Sequence, residues 1–368
     1  MVSAFEWREC IQAQEITYKD EEKLQEITEQ LFQAEGIVKV NDIEKLKQEL
    51  LQDENDIFII MGGDCAEQID MKQWREHYGD LISLFNELEQ IARKAGMGRV
   101  VKIARAAGQY FKPREQLMES VEGEIVPSYR GDGINSKMNR NYDPERLLKC
   151  HEHAQKVSKL FPSSFYFCHE ALNLYYESSL TRGRRDDIYD LSCHLPWLGY
   201  RTTLLEGAHV KYLQGIDNPI GIKVGPNMSA DHLRQLLWKL RSRERPILLI
   251  TRYGLESMHM IQTHMQVVEE GMRVLWICDP MHGNTIKNRG GKVRLMDSIM
   301  AEVQFIQGKL IENGLKLHGI HLEMTGNSDI LECLDNCSDS PKFSSLCDPR
   351  VNREQAIRIM TELFIERE

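Results

Sequence analysis

Hydrophobic residues in the first fifty positions recur every three or four residues within otherwise charged segments. This spacing places the apolar side chains along one face of a helix. We therefore predict a helical N-terminal extension over residues 1–55 that packs on the main domain, which would occupy residues 56–368. The two apolar series are Leu24, Ile27 and Leu31, followed by Ile43, Leu46 and Leu50.

From residue 56 onward, short apolar runs alternate with longer amphipathic stretches, which is the pattern of βα units with a mostly parallel sheet. Eight such runs favour a closed barrel. An open doubly wound sheet would carry fewer strands or a glycine-rich dinucleotide turn, and no G-x-G-x-x-G sequence follows a predicted strand. We therefore predict an α/β fold, a single (β/α)8 TIM barrel. The predicted strands are residues 57–61, 99–104, 163–168, 188–192, 219–224, 246–251, 273–278 and 316–322.

The composition narrows the class of protein. The chain has 368 residues, of which 42% are hydrophobic and 28% charged, as in globular proteins that fold in water. Its net charge of -10 argues against a nucleic-acid partner, because binding a phosphate backbone needs a basic surface. No apolar run approaches the roughly 20 residues that span a bilayer, so we expect no membrane insertion. Nine cysteines without a framework spacing, and an N-terminus without an apolar signal core, indicate a reducing cytoplasm, where we expect a homo-oligomer.

Barrel enzymes draw their chemistry from residues that follow the strands, at the carboxyl end of the barrel. Polar or charged residues lie at the ends of all eight predicted strands, which packing alone does not require. The third predicted strand is followed by His169 and Glu170, which could contact a substrate or hold the strand end, and the fourth by Cys193 and His194. The remaining strand ends carry Asp64 and Cys65, Arg105, Lys223, Arg252, Asp279 with His282, and Glu323.

Five cations from different βα units should meet at the same barrel mouth. Converging Arg and Lys side chains bind phosphate and carboxylate groups, Arg through a bidentate fork and Lys as a point charge. A small, doubly anionic ligand fits such a site. The alternative is that these cations pair with acidic residues on a solvated rim, which is less favourable for a lysine within an apolar run, such as Lys223. The five are Arg105, Lys112, Arg201, Lys223 and Arg252.

A second group of residues combines one thiolate, one imidazole and two carboxylates. Such a mixed donor set suits Mn, Co, Fe or Zn and selects against magnesium and calcium, which prefer oxygen ligands. The spacing forms no local motif, so the residues alone leave the choice open. Cys65 could be a packed thiol, and His282 could cap the turn after Pro280. The four residues are Cys65, His282, Glu323 and Asp348.

Long segments around these residues resemble the signature stretches of type II 3-deoxy-D-arabino-heptulosonate 7-phosphate (DAHP) synthases across nearly the whole chain. The sequence is similar to a short, divergent member of that family. In one-letter code the segments are GGDCAE (62–67), AGQY (107–110), KPR (112–114), YRGD (129–132), GAHV (207–210), NPIGIKVGP (218–226), DPMHGNT (279–285), GIHLE (319–323) and CDPR (347–350).

The resemblance implies a metal-dependent barrel transferase that condenses phosphoenolpyruvate with erythrose 4-phosphate and releases phosphate. This would be the first step of a shikimate-type or specialised aromatic pathway. The implied metal is divalent, with manganese favoured, and polarises the aldehyde. The resemblance implies Cys65, His282, Glu323 and Asp348 as its ligands.

The resemblance also distributes the cations between two substrates. Lys112 would lie near the aldehyde carbonyl and stabilise or protonate the developing alkoxide. Arg114 and Lys292 would face the phosphate of the aldehyde. The residues implied around phosphoenolpyruvate, which they position and neutralise, are Arg105, Arg201, Lys223 and Arg252.

Two departures from the family pattern fall inside the implied substrate site. The family's Lys-Pro-Arg-Ser ends here in Glu115, whose carboxylate would repel a phosphate if it points inward. The family's Trp-Ile-Gly-Glu-Arg-Thr has Tyr200 in place of its Glu, and a phenol does not accept a proton at pH 7 as a carboxylate does. Alternative hypotheses are therefore condensation with a different aldehyde, for example an unphosphorylated one, or a non-catalytic barrel that binds a partner enzyme.

Overall fold

The computed structural model describes residues 4–52, 56–121, 123–184, 187–242, 245–269, 271–288, 291–335 and 344–365. Within these residues no helix is both long and apolar enough to cross a membrane. The helices are α1 (Glu21–Gln33), α2 (Val40–Leu51), α3 (Trp74–Lys94), α4 (Glu145–Ser158), α5 (Leu174–Ser179), α6 (Ala208–Gln214), α7 (Ala230–Leu240), α8 (Ile261–Met265), α9 (Met296–Glu312) and α10 (Arg353–Leu363). Short 3-10 helices span Glu6–Glu9, Met258–Met260 and His282–Asn284.

The strands form one closed barrel and several small sheets. Eight parallel strands close in the order β1-β14-β11-β10-β9-β8-β5-β2, so the predicted (β/α)8 barrel is confirmed. In chain order the strands are β1 (Ile57–Gly63), β2 (Arg99–Arg105), β3 (Met118–Val121), β4 (Glu124–Pro127), β5 (Phe165–Glu170), β6 (Thr181–Arg184), β7 (Asp187–Asp190), β8 (Leu195–Leu198), β9 (Ile220–Val224), β10 (Ile247–Thr251), β11 (Val274–Cys278), β12 (Ile286–Asn288), β13 (Gly291–Leu295), β14 (Leu317–Glu323) and β15 (Cys333–Leu334).

The prediction for the fourth barrel strand was wrong. Residues 188–192 lie mostly in β7, which pairs with β6 in an antiparallel hairpin, and the barrel strand is β8. The strand β8 is only four residues long and contains Pro196, which lacks a backbone donor and obscures the strand pattern. Cys193 and His194 therefore precede the strand, away from the barrel mouth, whereas Tyr200 and Arg201 follow it.

The barrel interior is filled by alternate residues of the strands, as the two-residue period of a strand requires. Ile59 and Met61 of β1 and Trp197 of β8 belong to this inner cluster. Leu46 and Leu50 of α2 join the same cluster, and Arg99, at the start of β2, donates to the carbonyl of Glu49 at 3.1 Å. The helix α2 therefore closes the amino-terminal end of the barrel.

Gly63, at the end of β1, sets the spacing of two charged residues at the barrel mouth. It pairs in register with Arg105 on one side and Glu323 on the other. Its φ is +145°, and a Cβ there would lie 2.4 Å from the carbonyl oxygen of Arg105. Only glycine has both the conformation and the size that this position requires.

A matched pair of glycine substitutions tests this constraint. We expect Gly63→Ala to destabilise the fold by about 1–3 kcal/mol or more, because a strained backbone and a backbone clash add together. Gly79→Ala, in α3 where a Cβ would meet no atom within 4 Å, should stabilise it by about 0.5–1 kcal/mol. Denaturant unfolding of both variants measures the two effects, and equal stability of the two proteins would contradict the argument.

Candidate active site at the barrel mouth

A cavity of about 540 Å³ opens at the carboxyl end of the barrel strands. This volume lies in the range typical of small-molecule sites. Cys65 and Glu323 are buried beside the cavity rather than lining it. The other predicted site residues all line it, namely Arg105, Lys112, Arg114, Glu115, Tyr200, Arg201, Lys223, Arg252, His282, Lys292 and Asp348.

The deep end of the cavity is built around Trp197. The guanidinium carbon of Arg105 lies 5.5 Å from the centre of its ring system, and the Lys223 ammonium lies 5.3 Å from it. Burial lowers the pKa of Lys223, and the carboxylate of Asp279, 2.5 Å from the ammonium, opposes that shift. Two buried cations therefore share one aromatic platform, an arrangement suited to holding an anion.

The carboxylate of Glu323 is the negative centre beneath this end. Its Oε2 lies 2.7 Å from Arg294, and its Oε1 lies 3.1 Å from Arg105 and 3.7 Å from Lys112. Burial raises the pKa of Glu323, but the surrounding cations, with His282 first and Lys112 next, hold it well below its ordinary value. Glu323 is therefore ionised and fixed by partners from several strand ends.

Cys65 and Asp348 lie on neighbouring loops at the same place. The backbone N–H of Asp348 donates to the Cys65 sulfur at 3.4 Å, and the Lys112 ammonium lies 2.7 Å from the Asp348 carboxylate. Burial raises the pKa of the Cys65 thiol, but a hydrogen bond with Cys347 and the charge of Lys112 outweigh burial and lower it to about 6. This environment favours the thiolate, which is the form that binds metals.

The chemistry of these four donors fits a divalent metal ion. His282 Nδ1 lies 2.7 Å from the Asp279 carboxylate, which orients Nε2 toward Glu323 Oε1 at 3.1 Å. That oxygen is buried and accepts no hydrogen bond among the described residues. At this distance either a proton on the imidazole or a bound cation would join the two atoms. Within the described part of the chain, no three His, Cys, Asp or Glu side chains meet closely enough to form a metal site by themselves, and Lys112 lies between Glu323 and Asp348.

Tyr200 supports a cation instead of facing the cavity as a free phenol. Its oxygen accepts a hydrogen bond from the backbone N–H of Asn227 at 2.9 Å, and the guanidinium carbon of Arg252 lies 4.8 Å from the ring centre. Gly225 makes room for this ring, because a Cβ there would lie 2.7 Å from it. Arg252 is thus stacked and oriented, while Arg201 is exposed at the cavity wall.

The outer end of the cavity carries the residues predicted to face the aldehyde. The Lys292 ammonium lies 2.7 Å from Asp348. The guanidinium of Arg114 donates to the carbonyl of Tyr129 at 2.6 Å. Glu115 is exposed at the rim and makes no hydrogen bond or ion pair with any residue that the structure describes.

A buried carboxylate, that of Glu67, holds the loop that carries Lys112. Three of the hydrogen bonds that it accepts come from backbone N–H groups of this loop, those of Ala107 at 2.8 Å, Gly108 at 2.8 Å and Gln109 at 2.7 Å. Ala107 has a φ of +58°, which a side chain disfavours. These bonds offset the strain and fix the path of the chain from β2 to Lys112.

A second buried carboxylate, that of Glu302 in α9, connects two other loops. It accepts a hydrogen bond from the backbone N–H of Tyr253 at 2.8 Å and one from the side chain of Asn284 at 2.7 Å. Tyr253 follows Arg252, and Asn284 lies two residues after His282. Glu302 therefore positions a cation of the cavity and a candidate metal ligand together.

The sequence left the roles of Glu170 and Asp279 open and did not point to Glu302. Glu170 lines the cavity, and burial raises its pKa although Lys112, Arg105 and other cations oppose the shift. Asp279 contacts both Lys223 and His282. Glu170 and Asp279 lie at strand ends, so their positions in the sequence marked them as candidates. Glu302 lies in the middle of a helix, where nothing in the sequence pattern indicates a role at the site.

The fold and the site together define a (β/α)8 barrel with a cation-lined cavity at its mouth. Residues 2–163 and 153–363 match the Class-II DAHP synthetase family, and the chain belongs to that family. The phospho-2-dehydro-3-deoxyheptonate aldolase of Streptomyces coelicolor is 30% identical over 428 residues, covering 95% of this chain and 94% of that protein. The enzyme of the same name from Neurospora crassa is 30% identical over 93% of this chain and 89% of its own length.

A bacterial relative and a solved structure extend the comparison. The probable phospho-2-dehydro-3-deoxyheptonate aldolase of Pseudomonas fluorescens is 32% identical, over 95% of this chain and 93% of that protein. The structure of phospho-2-dehydro-3-deoxyheptonate aldolase from Francisella tularensis superposes with a TM-score of 0.55, covering 92% of this chain and 95% of that one. Its sequence identity is 13%, so this likeness is evidence for the fold alone.

The connecting role of Glu302 predicts a pH-dependent stability. Burial raises the pKa of its carboxyl from 4.5 to about 7, against the hydrogen bonds that it accepts. Between these values the folded protein holds a proton that the unfolded chain releases, so stability falls as pH rises, by at most about 1.4 kcal/mol per pH unit. Glu302→Gln removes this titration and should gain stability relative to the wild type as pH increases through that range.

Denaturant unfolding at several pH values measures this difference. Glu312→Gln, the same change at an exposed position of α9, is the control and should follow the wild-type curve. Parallel curves for the wild type and Glu302→Gln would show that Glu302 does not titrate in this range.

Proposed function

We propose that this chain catalyses the condensation of phosphoenolpyruvate with erythrose 4-phosphate, with release of phosphate, as the first step of a shikimate-type or specialised aromatic pathway. The observation that carries the proposal is the convergence of Arg105, Lys223 and Arg252 on one cavity of a chain that belongs to the DAHP synthetase family. The three come from the ends of different strands, and cations that converge in this way suit a ligand that carries several negative charges.

Phosphoenolpyruvate fits the deep end of the cavity by charge. Its phosphate and carboxylate would be neutralised by Arg105, Arg201, Lys223 and Arg252. Arg252 is held by Tyr200, and Lys223 is held by Asp279, so little ordering remains for the ligand to impose. The substrate would be bound with the terminal methylene carbon of its double bond toward the aldehyde.

Lys112 is the group best placed to stabilise charge on the aldehyde. Burial lowers the pKa of its ammonium, but Asp348 and Glu323 outweigh burial and raise the pKa above the ordinary value. Lys112 therefore stays protonated and can donate a hydrogen bond to the oxygen that becomes an alkoxide when the new carbon–carbon bond forms. Water then adds, with loss of a proton, to the neighbouring carbon of the former double bond, which carries the phosphate ester. Cleavage of the bond between that carbon and the ester oxygen releases phosphate.

Cys65, His282, Glu323 and Asp348 would hold a divalent metal, with manganese favoured over Co, Fe or Zn. The metal would supply Lewis-acid polarisation of the aldehyde oxygen. The donor chemistry supports this assignment, as does the buried Glu323 oxygen that lacks a hydrogen bond among the described residues.

Phosphate release by purified, manganese-loaded protein tests the reaction. We expect release with phosphoenolpyruvate and erythrose 4-phosphate together, none with either alone, and loss of activity when the metal is removed by chelation. Lys223→Met should reduce turnover by roughly 100-fold or more, because it removes a buried cation from the site and takes one ion-pair partner from Asp279. Lys94→Met, at an exposed site where α3 ends, is the charge-matched control.

A panel of short aldoses, with and without phosphate, runs in parallel. If phosphate is released only with another aldehyde, that aldehyde is the acceptor instead of erythrose 4-phosphate, and the rest of the proposal stands. No release with any aldehyde would favour the non-catalytic barrel.

Because Glu115 is exposed, we can predict how little its replacement of the family's serine affects the binding of erythrose 4-phosphate. We expect Glu115→Ser to change the KM for erythrose 4-phosphate by less than about twofold, because water and salt screen an exposed charge. The KM is measured at saturating phosphoenolpyruvate, with Lys292→Met as the comparison that should raise it. A clear improvement in turnover by Glu115→Ser would instead support an unphosphorylated acceptor.

A further inference from the structure

The hairpin of β12 and β13 presents two lysines to the cavity. Its register pairs Lys287 with Lys292 and Ile286 with Val293. Successive residues of a strand point to opposite faces, so the two lysines share one face of the hairpin. Val293 is buried on the other face, and both lysines line the cavity.

Two lysines directly opposite each other repel. Their Cβ atoms are expected about 4.5–5.5 Å apart, where like charges destabilise a strand pair. Lys292 has one acidic neighbour, Asp348, at 2.7 Å, and Asp348 also binds Lys112 at 2.7 Å. Lys287 forms no ion pair with any residue that the structure describes. Among the described residues, the two lysines on this face of the hairpin thus have a single acidic partner, Asp348, which is shared with Lys112.

Other charges near the rim do not supply a further counter-ion. The carboxylate of Glu119 lies 2.9 Å from Arg140 and accepts the backbone N–H of Tyr129 at 3.1 Å, so its charge is already matched. Arg114 adds a further cation to the outer cavity, and Glu115 adds one carboxylate without an ion pair in the described chain. Cations therefore remain in excess at this end, which suits a doubly charged anion.

We propose that Lys287, together with Lys292 opposite it, binds the distal phosphate of the acceptor aldose. The proposal rests on the proposed condensation and specifies its acceptor as a phosphorylated sugar. The resemblance to the family points to Lys292 but not to Lys287, which follows from the strand register. A lysine suits this position because a flexible point charge can follow the phosphate at a solvent-exposed rim.

Steady-state kinetics of Lys287→Met test the proposal at saturating phosphoenolpyruvate. The variant should raise the KM for erythrose 4-phosphate about tenfold and leave kcat and the KM for phosphoenolpyruvate unchanged, because it removes binding that ground state and transition state share. Lys287→Arg should keep most of the affinity. The KM of the wild type should increase with salt more steeply than that of Lys287→Met. Lys94→Met should match the wild type in every respect.

D-erythrose, which lacks the phosphate, is the second acceptor in the test. The kcat/KM for D-erythrose should be the same for the wild type and Lys287→Met. Equal losses with both acceptors would show that the substitution disturbs the fold of the hairpin, and an unchanged KM for erythrose 4-phosphate would show that Lys287 does not contact the phosphate. Either result overturns the proposal.

A binding measurement separates this proposal from the proposed reaction. Erythrose 4-phosphate is titrated calorimetrically into manganese-loaded protein without phosphoenolpyruvate, where no turnover can occur. Weaker binding to Lys287→Met than to the wild type supports the phosphate subsite even if condensation is not detected. Equal binding to the two proteins, or none to the wild type, refutes it.

Discussion

The buried carboxylate of Glu323 is the interaction on which the arrangement of the barrel mouth depends. An isolated carboxylate at this depth would cost several kcal/mol, so it requires opposite charges within contact distance. These come from Arg105 at the end of β2, from Arg294 in β13 and from Lys112 in the loop after β2. Each partner is held by the same carboxylate, so the strand end of Glu323 determines where three separate segments place their cations. Removing one partner would leave charge unmatched at the centre of the site.

Buried carboxylates also give shape to loops that have no regular secondary structure. Glu67 binds the backbone of the loop after β2, and Glu302 connects the loops after β10 and β11. Glu332 accepts the backbone N–H groups of Ser345 at 2.7 Å and Arg350 at 2.8 Å, on the loop that carries Asp348. Because these loops are already ordered, little of the binding free energy of a ligand is spent on ordering them. This favours catalysis by positioning.

The pattern of the sequence predicted most of the barrel because buried parallel strands are continuous apolar runs. It failed at β8, where a short strand interrupted by Pro196 looked less like a strand than the apolar segment before it. At the site, the rule that chemistry follows strand ends selected Arg105, Lys223 and Glu323, whose side chains do lie together. The rule could not identify Glu302, which lies in a helix and holds two loops by hydrogen bonds. It also could not identify Lys287, because the proposed role of this residue depends on its pairing with Lys292. Such pairings are properties of the folded chain, and their spacing along the sequence carries no periodic signal.

Tyr200 stands where the family has a glutamate, so the cavity has one carboxylate fewer while its cations are unchanged. A carboxylate at that position would offset one positive charge. The phenol of Tyr200 offsets no charge, and its oxygen accepts a hydrogen bond from the backbone N–H of Asn227. Its ring still orients Arg252, so the geometry of anion binding is retained. Glu170 remains as a buried carboxylate of the same wall, close enough to Arg105 and Lys112 for their charges to influence its pKa. A Cβ at residue 199 would lie 1.9 Å from Glu170 Oε1, so the glycine before Tyr200 keeps the space that this carboxylate occupies. For the proposed condensation, Glu170 thus provides a carboxyl group on this wall that can orient a water molecule where the family's own glutamate is absent.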